Sequence, residues 1–422
     1  METNKLITLL NGEKAENRLS ALSDIKKKFD LGEIIKPEKT NNLNNHIHTT
    51  YSFSPYSPSK AVYTAYTSGL ATAGIMDHDS VGGAQEFIEA GKILEISTTV
   101  GIETRVDMSK TKLNGKRINN TDQNSIAYVA LHGIPHQYIG DINGYFSLFR
   151  KNRNTRNKKM CENITDIMKP YGIKLDFYEH VLPISEYKNT GSITERHISY
   201  ALSKLIAEKY TVPNELLDFL KNKMKINIAK KSENALLENN PDYYLYDILG
   251  IIKAELIEKF YIDARDECPD VEDYIKIGKA ACAISAYAYL GDVADSVTGD
   301  KKPQKFEDDY LDLLFEELLR LDFNAVTYMP TRNTKEQLKN LISMCEKNNL
   351  FQISGEDINS PRQSFICKAL SDPMFCHLTD STWALINHEI AATKCEECGI
   401  FSEKTIKTYP NIKERVKKFA NG

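Results

Sequence analysis

The sequence of 422 residues predicts an α/β barrel that is interrupted by a helical segment. From Asn45 to about Pro135, short apolar runs alternate with alanine-rich segments long enough for helices, which is the pattern of repeated strand–helix units. The same alternation returns towards the C-terminus, with apolar runs at 323–332 and 351–359 and a predicted helix at 335–347 between them. Hydrophobic residues make up 41% of the chain and charged residues 27%, so the chain can bury a core and is not disordered.

Two further segments are predicted to be helical. The N-terminal residues repeat leucine, isoleucine and phenylalanine at spacings of three and four as far as Phe29, and Pro37 ends the pattern. The middle of the chain opens with a basic run at 151–159, interpreted as a surface, and is strongly helical over 195–231 and 243–289. We therefore divide the chain into an N-terminal helical extension (1–40), a first barrel part (41–199), an α-helical insertion (200–282) and a second barrel part with C-terminal helices (283–422).

Charge and composition exclude several classes of protein. Lys and Arg total 54 against 58 Asp and Glu, so a net charge of −4 disfavours non-specific binding to nucleic acid. No apolar run reaches the roughly 18 residues that a membrane span needs, and the N-terminus lacks the pattern of a secretion signal. The eight cysteines are scattered and do not resemble a secreted disulfide framework. We expect a cytoplasmic protein with no membrane partner.

Five apolar runs end in side chains that can bind a metal ion. His46 and His48 stand at positions i and i+2, so both rings leave one face of a strand. The other runs end in Asp77, His78 and Asp79; in Glu103; in His132; and in Asp357 and Asn359. Because the C-terminal ends of parallel barrel strands form one rim, these side chains are expected to converge there. Histidine with carboxylate suits Zn²⁺, Mn²⁺ or Fe²⁺, and the lack of thiolates argues against a closed structural zinc site.

The segments NNHIHTTYSFSPYSP, IMDHDSVGGAQEF, VGIETR, ALHGIP and SGEDIN resemble, in this order, the motifs of the PHP superfamily, named for polymerases and histidinol phosphatases. The resemblance implies a distorted seven-stranded (β/α) barrel of TIM-like type that hydrolyses phosphate esters with two or three divalent metal ions. It also implies that His46, His48, Glu103 and Asp357 hold the first ion, and that Glu103 bridges to a second ion held with His132.

The sequence departs from the family pattern at several of the implied ligands. Phe53 and Asn359 stand where the family usually has third-site ligands beside His78, so we expect two ions and no fully occupied third site. Tyr287 stands where a second-site histidine is common. His197 lies in a segment similar to one found near bound phosphate in the family, and it is either a substitute ligand or a phosphate contact.

A metal-bound water is expected to attack phosphorus while the ions neutralise the phosphate oxygens. Asp77, His78 or Asp79 would donate a proton to the leaving group, unless the two acids orient histidine ligands instead. Arg196 and Arg362 either grip phosphate or form surface ion pairs. The loop at 291–308 either covers the rim or is a solvated linker.

The leading hypothesis is a metal-dependent phosphoesterase that acts on a small phosphorylated metabolite or nucleotide. A nuclease that trims nucleic-acid ends is an alternative, although the net charge of −4 and the lack of a nucleic-acid-binding module disfavour it. A metal-binding scaffold without turnover is a third, because of the altered ligands. A homo-oligomer is left open.

Overall fold

The structure, a computed structural model, describes residues 2–292 and 304–421, so most of the predicted rim-covering loop lies outside the described residues. Within these ranges seven strands form one sheet, in which spatial order follows chain order. They are β1 (Leu43–Ile47), β2 (Thr72–His78), β3 (Ser97–Asp107), β4 (Ile126–His132), β5 (Ile284–Ala288), β6 (Ala325–Tyr328) and β7 (Phe351–Ser354). The fold is α/β, with a curled mixed sheet surrounded by helices, as the alternating pattern predicted.

The two edges of the sheet meet through the segment after β7. Ile47 of β1 forms a β-bridge with Ile358. The His48 amide donates to the Ile358 carbonyl at 2.9 Å, and the Ile358 amide donates to the His46 carbonyl at 3.1 Å. The curl of the sheet therefore carries the residues that follow β7 to the end of β1.

Strand β4 runs against both of its neighbours. It pairs antiparallel with β3 and β5, whereas β1–β3 and β5–β7 are parallel. The segment 108–125 joins β3 to β4 without a crossover helix, which antiparallel pairing permits. The expectation that all five ligand-bearing runs end at one rim is therefore wrong for β4, whose C-terminal residue His132 lies towards the opposite end of the sheet.

The first helices in the chain pack on the outside of the sheet. They are α1 (Thr3–Leu9), α2 (Ala15–Asp30), α3 (Pro58–Thr67) and α4 (Ala84–Leu94). The apolar residues of α2 that the spacing singled out, Leu22, Ile25 and Phe29, are buried in the same core as the sheet. The helical prediction for the N-terminal segment is confirmed, and its boundary at residue 40 stays a prediction.

The middle of the chain forms a second helical body. It follows α5 (Ile139–Tyr145), which packs on the core of the sheet. Its helices are α6 (Ser147–Met168), α7 (Glu195–Lys209), α8 (Pro213–Asp218), α9 (Lys230–Glu238), α10 (Tyr244–Glu255) and α11 (Ile257–Phe260). Buried residues from Met160 to Phe260 form a hydrophobic cluster of their own. The domain boundaries at 200 and 282 stay a prediction.

The helical prediction for 243–289 is wrong at its C-terminal end. After α12 (Val271–Ala280), Cys282 adopts a left-handed backbone with φ 55° and the chain enters β5. The sequence ISAYA pairs with both β4 and β6, so partners on two sides override the helical pattern.

The basic run at 151–159 is a surface only in part, because Lys151 and Lys159 are exposed but its two arginines are not. Arg153 and Arg156 of α6 are buried, because positions three apart in this helix face inward. Arg153 Nη2 lies 2.8 Å from Glu195 Oε2, Arg156 Nε lies 2.6 Å from Glu267 Oε2, and Arg105 of β3 pairs with both glutamates. Although burial opposes it, Arg153, Arg105 and Arg156 hold the pKa of the Glu195 carboxyl well below its usual range. We call these five residues the arginine–glutamate network; it joins the helical body to β3.

Among the last helices, those formed by residues 377–394 and 412–420 close one end of the sheet, whereas those formed by 311–320 and 335–347 pack in the outer core. In chain order the last helices are α13 (Leu311–Arg320), α14 (Lys335–Lys347), α15 (His377–Lys394), α16 (Glu403–Thr408) and α17 (Ile412–Ala420). Glu389 of α15 accepts hydrogen bonds from Val100 N at 2.8 Å and Thr99 Oγ1 at 2.7 Å, near the start of β3. The opposite end of the sheet is left for a site. No helix within residues 2–292 and 304–421 is both long enough and apolar enough to span a membrane.

Replacing Glu267 with Gln is expected to lower the free energy of unfolding by about 3–5 kcal/mol, because it leaves buried guanidinium groups without their partner charge. Urea denaturation followed by circular dichroism measures the change. The control is Asp273→Asn, which breaks an exposed pair with Lys276 and should cost at most about 1 kcal/mol. Equal effects of the two substitutions would show that the network does not stabilise the fold.

Candidate metal centre

The two histidines of the first motif converge at the end of β1. The Nε2 atoms of His46 and His48 are 3.2 Å apart. The register of β1 against β2 shifts between Asn44 and Ile47, and the Asn44 Oδ1 accepts the His46 amide at 3.0 Å. The local backbone thus turns both rings to one point, as the i and i+2 spacing predicted.

Glu103 reaches the same point from β3, where it pairs with His78 of β2. Its Oε2 lies 3.7 Å from His46 Nε2, 3.9 Å from His48 Nε2 and 3.1 Å from His78 Nδ1. Candidate ligand atoms of His46, His48 and Glu103 all lie within 4.8 Å of one another. One ion could therefore contact all three.

Asp357 completes the cluster from the segment that follows β7. Its Oδ1 lies 3.2 Å from His48 Nε2. Although burial opposes it, the hydrogen bond from His48 and the charges of His48, His46 and Arg196 hold the pKa of the Asp357 carboxyl well below its usual range. The four residues expected at the first ion lie together; their coordination of an ion stays a prediction.

Asp77 holds the first motif in place and does not face the cavity. It accepts hydrogen bonds from Thr49 N at 2.7 Å, Thr49 Oγ1 at 2.6 Å and Ser52 Oγ at 2.6 Å. Ser52 Oγ in turn lies 3.1 Å from His48 Nδ1. A hydrogen bond at Nδ1 leaves Nε2 of His48 to face an ion, so Asp77 orients a ligand. The geometry speaks against its proposed role as proton donor.

Asp79 is also engaged elsewhere. Its backbone has φ 52°, and its carboxylate accepts from Thr104 Oγ1 at 2.5 Å and pairs with Arg153. Of the three candidate proton donors only His78 lines the cavity. Burial, with the charges of His48 and Arg153, holds the pKa of His78 well below its usual range, so this ring is neutral near pH 7.

His132 lies deeper in the sheet than Glu103. It pairs with Gly101 and Ile284, whereas Glu103 pairs with Ala130. Its Nε2 is buried and has no hydrogen-bond partner among the described residues. Burial and the charge of His46 lower the pKa of His132 to about 3. The ring is therefore a neutral imidazole near His46 and outside the group of three ligands.

The positions that depart from the family pattern do not reach the centre as ligands. Tyr287 points to the outer core, where its hydroxyl donates to Glu307 Oε1 at 3.1 Å, so the inward positions of β5 are Ala286 and Ala288. Phe53 packs against Tyr200, with ring centroids 5.5 Å apart. The equivalence drawn between Tyr287 and an inward histidine is not supported, because Tyr287 faces outward.

Asn359 binds its neighbour in the last motif. Its Nδ2 donates to Asp357 Oδ1 at 2.6 Å, and its Oδ1 has no partner among the described residues. The amide thus supports a ligand of the first ion.

Of the three predicted substrate contacts, the structure brings only Arg196 to the cavity. His197 is buried, and its Nδ1 accepts the Thr194 amide at 3.0 Å in the capping box of α7. Its Nε2 then carries the proton and cannot bind an ion. Arg362 forms a bidentate pair with Asp247 of α10, with both contacts at 2.8 Å, outside the cavity. Ligand and phosphate roles for His197 and Arg362 are not supported.

A cavity of about 590 Å³ opens over the centre. His46, His78, Glu103 and Asp357 form its floor, and the sequence prediction missed much of its wall, which includes Asn119, Tyr128, Lys253, Tyr261, Tyr289 and Arg332. Tyr128 could have been predicted from the sequence as a cavity residue. It precedes His132 by four residues in the same strand, and every second residue of a strand shares one face. The helical residues of the wall carry no comparable signal.

The family model of the PHP domain matches residues 44–325, which is more than half of the chain. The chain belongs to the PHP domain family. Among solved structures, a Bifidobacterium adolescentis protein named as a metal-dependent phosphoesterase is similar, with 17% identity, a TM-score of 0.50, and coverage of 81% of this chain and 97% of that chain. An amidohydrolase from Chromobacterium violaceum shares 13% identity over 77% of this chain and 90% of that chain, with a TM-score of 0.49. No curated protein matches.

Family membership together with the ligand cluster makes this PHP protein a metal-dependent hydrolase. The similarity to the Bifidobacterium adolescentis structure supports the α/β fold alone.

Replacing Ser52 with Ala is expected to weaken divalent metal binding by about tenfold or more, because His48 loses the contact that orients its ring. Competition with a fluorescent chelator measures the affinity. Ser54→Ala is the matched control, since the Ser54 hydroxyl is buried with no hydrogen-bond partner among the described residues. Equal metal affinity in the Ser52 variant and the wild type would contradict the orienting role.

Stability is expected to fall as the pH drops from about 6.5 towards 4, in part because burial lowers the pKa of His197 to about 3. The unfolded chain binds a proton in this interval that the folded chain does not, so folding loses free energy as the pH falls. His197→Gln keeps a side chain suited to the capping box and removes the titration. The slope of unfolding free energy against pH should shrink by up to about 1.4 kcal/mol per pH unit; an unchanged slope would contradict the assignment.

Proposed function

We propose that this PHP protein hydrolyses the phosphate ester of a small phosphorylated metabolite or nucleotide, with a divalent ion held by His46, His48, Glu103 and Asp357. One observation carries the proposal. Two imidazoles and two carboxylates from β1, β3 and the segment after β7 meet at the floor of a polar cavity that also contains Arg196. This donor set suits Mn²⁺, Zn²⁺ or Fe²⁺, and it leaves the cavity side open to water and substrate.

When bound, the ion would activate water and neutralise charge on the phosphate oxygens. Side chains of the protein orient the metal ligands and bind the phosphate. Asp77 and Ser52 fix the His48 ring, so that Nε2 stays turned to the floor of the cavity. The Arg196 guanidinium donates to phosphate oxygens and holds phosphorus above that floor.

His78 is the group we propose for proton transfer to the leaving oxygen. Its Nδ1 lies 3.1 Å from Glu103 Oε2, so in the neutral ring Nδ1 donates to that carboxylate and Nε2 carries no proton. Nε2 would therefore accept a proton from the attacking water and then pass it to the leaving oxygen. Because Asp77 and Asp79 are both consumed by other hydrogen bonds, no second acid of this motif competes for the role.

The sequence also led to predictions about the type of barrel, the cell compartment, the number of ions and the size of the substrate, and the following features bear on them. The bridge between β1 and the segment after β7 supports a distorted (β/α)7 barrel, and eight free cysteines suit a cytoplasmic setting. The expectation of two ions would require His132 as a further ligand, and its Nε2 is buried without a hydrogen-bond partner among the described residues. The wall formed by α10 and α11 favours a small substrate over a nucleic-acid end. Assembly into a homo-oligomer stays a prediction.

The proposal is tested by a phosphate-release screen over small phosphate monoesters and diesters, with the purified chain before and after removal of metal by a chelator. We expect release that requires added Mn²⁺ or Zn²⁺. A chain that binds metal and releases no phosphate from any of these compounds would favour the scaffold alternative, and release from oligonucleotide ends alone would favour the nuclease.

Replacing Glu103 with Gln is expected to lower phosphate release by about 10²-fold or more, because a neutral amide cannot take the place of a carboxylate that faces three histidines. Metal content by mass spectrometry should fall in parallel, and circular dichroism should show an intact fold. The control is Glu258→Gln, which changes an exposed carboxylate on the wall of the same cavity. Normal activity and metal content in the Glu103 variant would contradict its role.

A further inference from the structure

We propose that the centre holds a single divalent ion, bound by His46, His48, Glu103 and Asp357, and that the Arg196 guanidinium supplies the second positive charge that another ion would give to the substrate. The inference rests on the proposed function for the kind of reaction, and it departs from the expectation of two ions. It concerns how many ions this chain can bind and what replaces the missing one.

A second ion would need ligands beyond Glu103, and the neighbouring strand β5 offers none. The inward side chains of β5 are those of Ala286, which is buried in the interior cluster, and Ala288, which lines the cavity. The residue between them, Tyr287, points to the outer core and bonds to Glu307. Methyl groups cannot coordinate, so this side of a second site is absent.

His132 is then the residue on which a second ion would depend. Its strand runs in the opposite direction, and it stands two residues further into the sheet than Ala130, the partner of Glu103. Two residues along a strand correspond to roughly 7 Å. Among residues 2–292 and 304–421, candidate ligand atoms of His46, His48 and Glu103 lie within 4.8 Å of one another, and Asp357 Oδ1 joins them at 3.2 Å from His48 Nε2. His132 Nε2, in contrast, is buried without a hydrogen-bond partner among the described residues.

A third ion beside His78 lacks its ligands as well. Phe53 has φ 88° and is buried among aromatic rings, with its centroid 5.0 Å from His197 and 5.5 Å from Tyr200. Asn359 turns its amide donor to Asp357 at 2.6 Å. A phenyl ring cannot coordinate, so the candidate ligands on that side are His78, the uncharged amide oxygen of Asn359 and Glu103. Glu103 is already engaged by the first ion, and two neutral groups are too few for a tight site.

Arg196 is the cation placed to compensate. It lines the cavity together with Asp357. Arg196 forms no hydrogen bond or ion pair among the described residues, whereas the nearby Arg153 is held by Asp79 and Glu195. A guanidinium offers a planar pair of donors to two phosphate oxygens, which suits it to neutralise charge where a second ion is missing.

The ion count is tested on the full chain after metal removal and dialysis against excess Mn²⁺. We expect mass spectrometry to find one manganese per chain, and electron paramagnetic resonance to show the resolved hyperfine pattern of an isolated ion. His132→Gln should keep that count and spectrum, whereas His46→Gln should lose the ion. Two manganese ions per chain with an exchange-coupled spectrum in the wild type would overturn the single-ion centre.

The role of Arg196 is tested with inorganic phosphate as the probe, by calorimetry on the manganese-loaded chain. Arg196→Met should weaken phosphate binding by at least about tenfold, as expected for loss of a charged hydrogen-bond donor, and leave the metal count unchanged. Arg196→Lys should recover part of the affinity. Arg265→Met is the matched control, since Arg265 is exposed and lies outside the cavity. Wild-type phosphate affinity in Arg196→Met would overturn the compensating role.

The same experiments separate this inference from the proposed function. Suppose that the chain binds one ion and that its phosphate binding depends on Arg196, but that it hydrolyses no phosphate ester. This result would contradict the proposed phosphoesterase activity and support the single-ion centre. Two ions together with metal-dependent hydrolysis would do the reverse.

Discussion

The backbone pairing between Ile47 and Ile358 is the constraint on which the centre depends. Asp357 is supplied from the far edge of the sheet, and it reaches His48 because this pairing joins the two edges. Asn44 reinforces the junction, since its Oδ1 accepts the Glu356 amide at 2.9 Å and the His46 amide at 3.0 Å. One side chain therefore fixes both halves of the ligand set. The centre forms where the sheet curls upon itself.

The reversal of β4 determines which side chains surround that centre. Because β4 returns antiparallel to β3, its early residues lie at the cavity and its last residue lies deep in the sheet. Tyr128 consequently lines the cavity, while His132 does not. A parallel β4 would have carried His132 to the rim with the other ligands, so strand direction alone removes the expected second-site ligand from the rim.

The fold class and the ligand cluster could be predicted because their signals are local or repeated. The i and i+2 spacing of His46 and His48, and strand ends that finish in Glu103 and Asp357, place side chains on one face without knowledge of tertiary contacts. Strand direction is not encoded locally, which is why His132 was misplaced. The inward turn of Arg153 was missed for a similar reason: a charged helical face is buried only where acids from other elements, here Glu195 and Asp79, meet it.

The motif Asp77–His78–Asp79 shows how the helical body and the centre depend on each other. Successive residues at the end of a strand alternate in direction, so His78 faces the cavity while the two acids face away from it. Asp77 is tied through Ser52 to His48, and Asp79 is tied to Arg153 of α6. The position of His78 is thus held from one side by the metal ligands and from the other by the arginine–glutamate network. Because that network is buried and charged, its geometry is restrictive, and it couples the position of the helical body to that of His78.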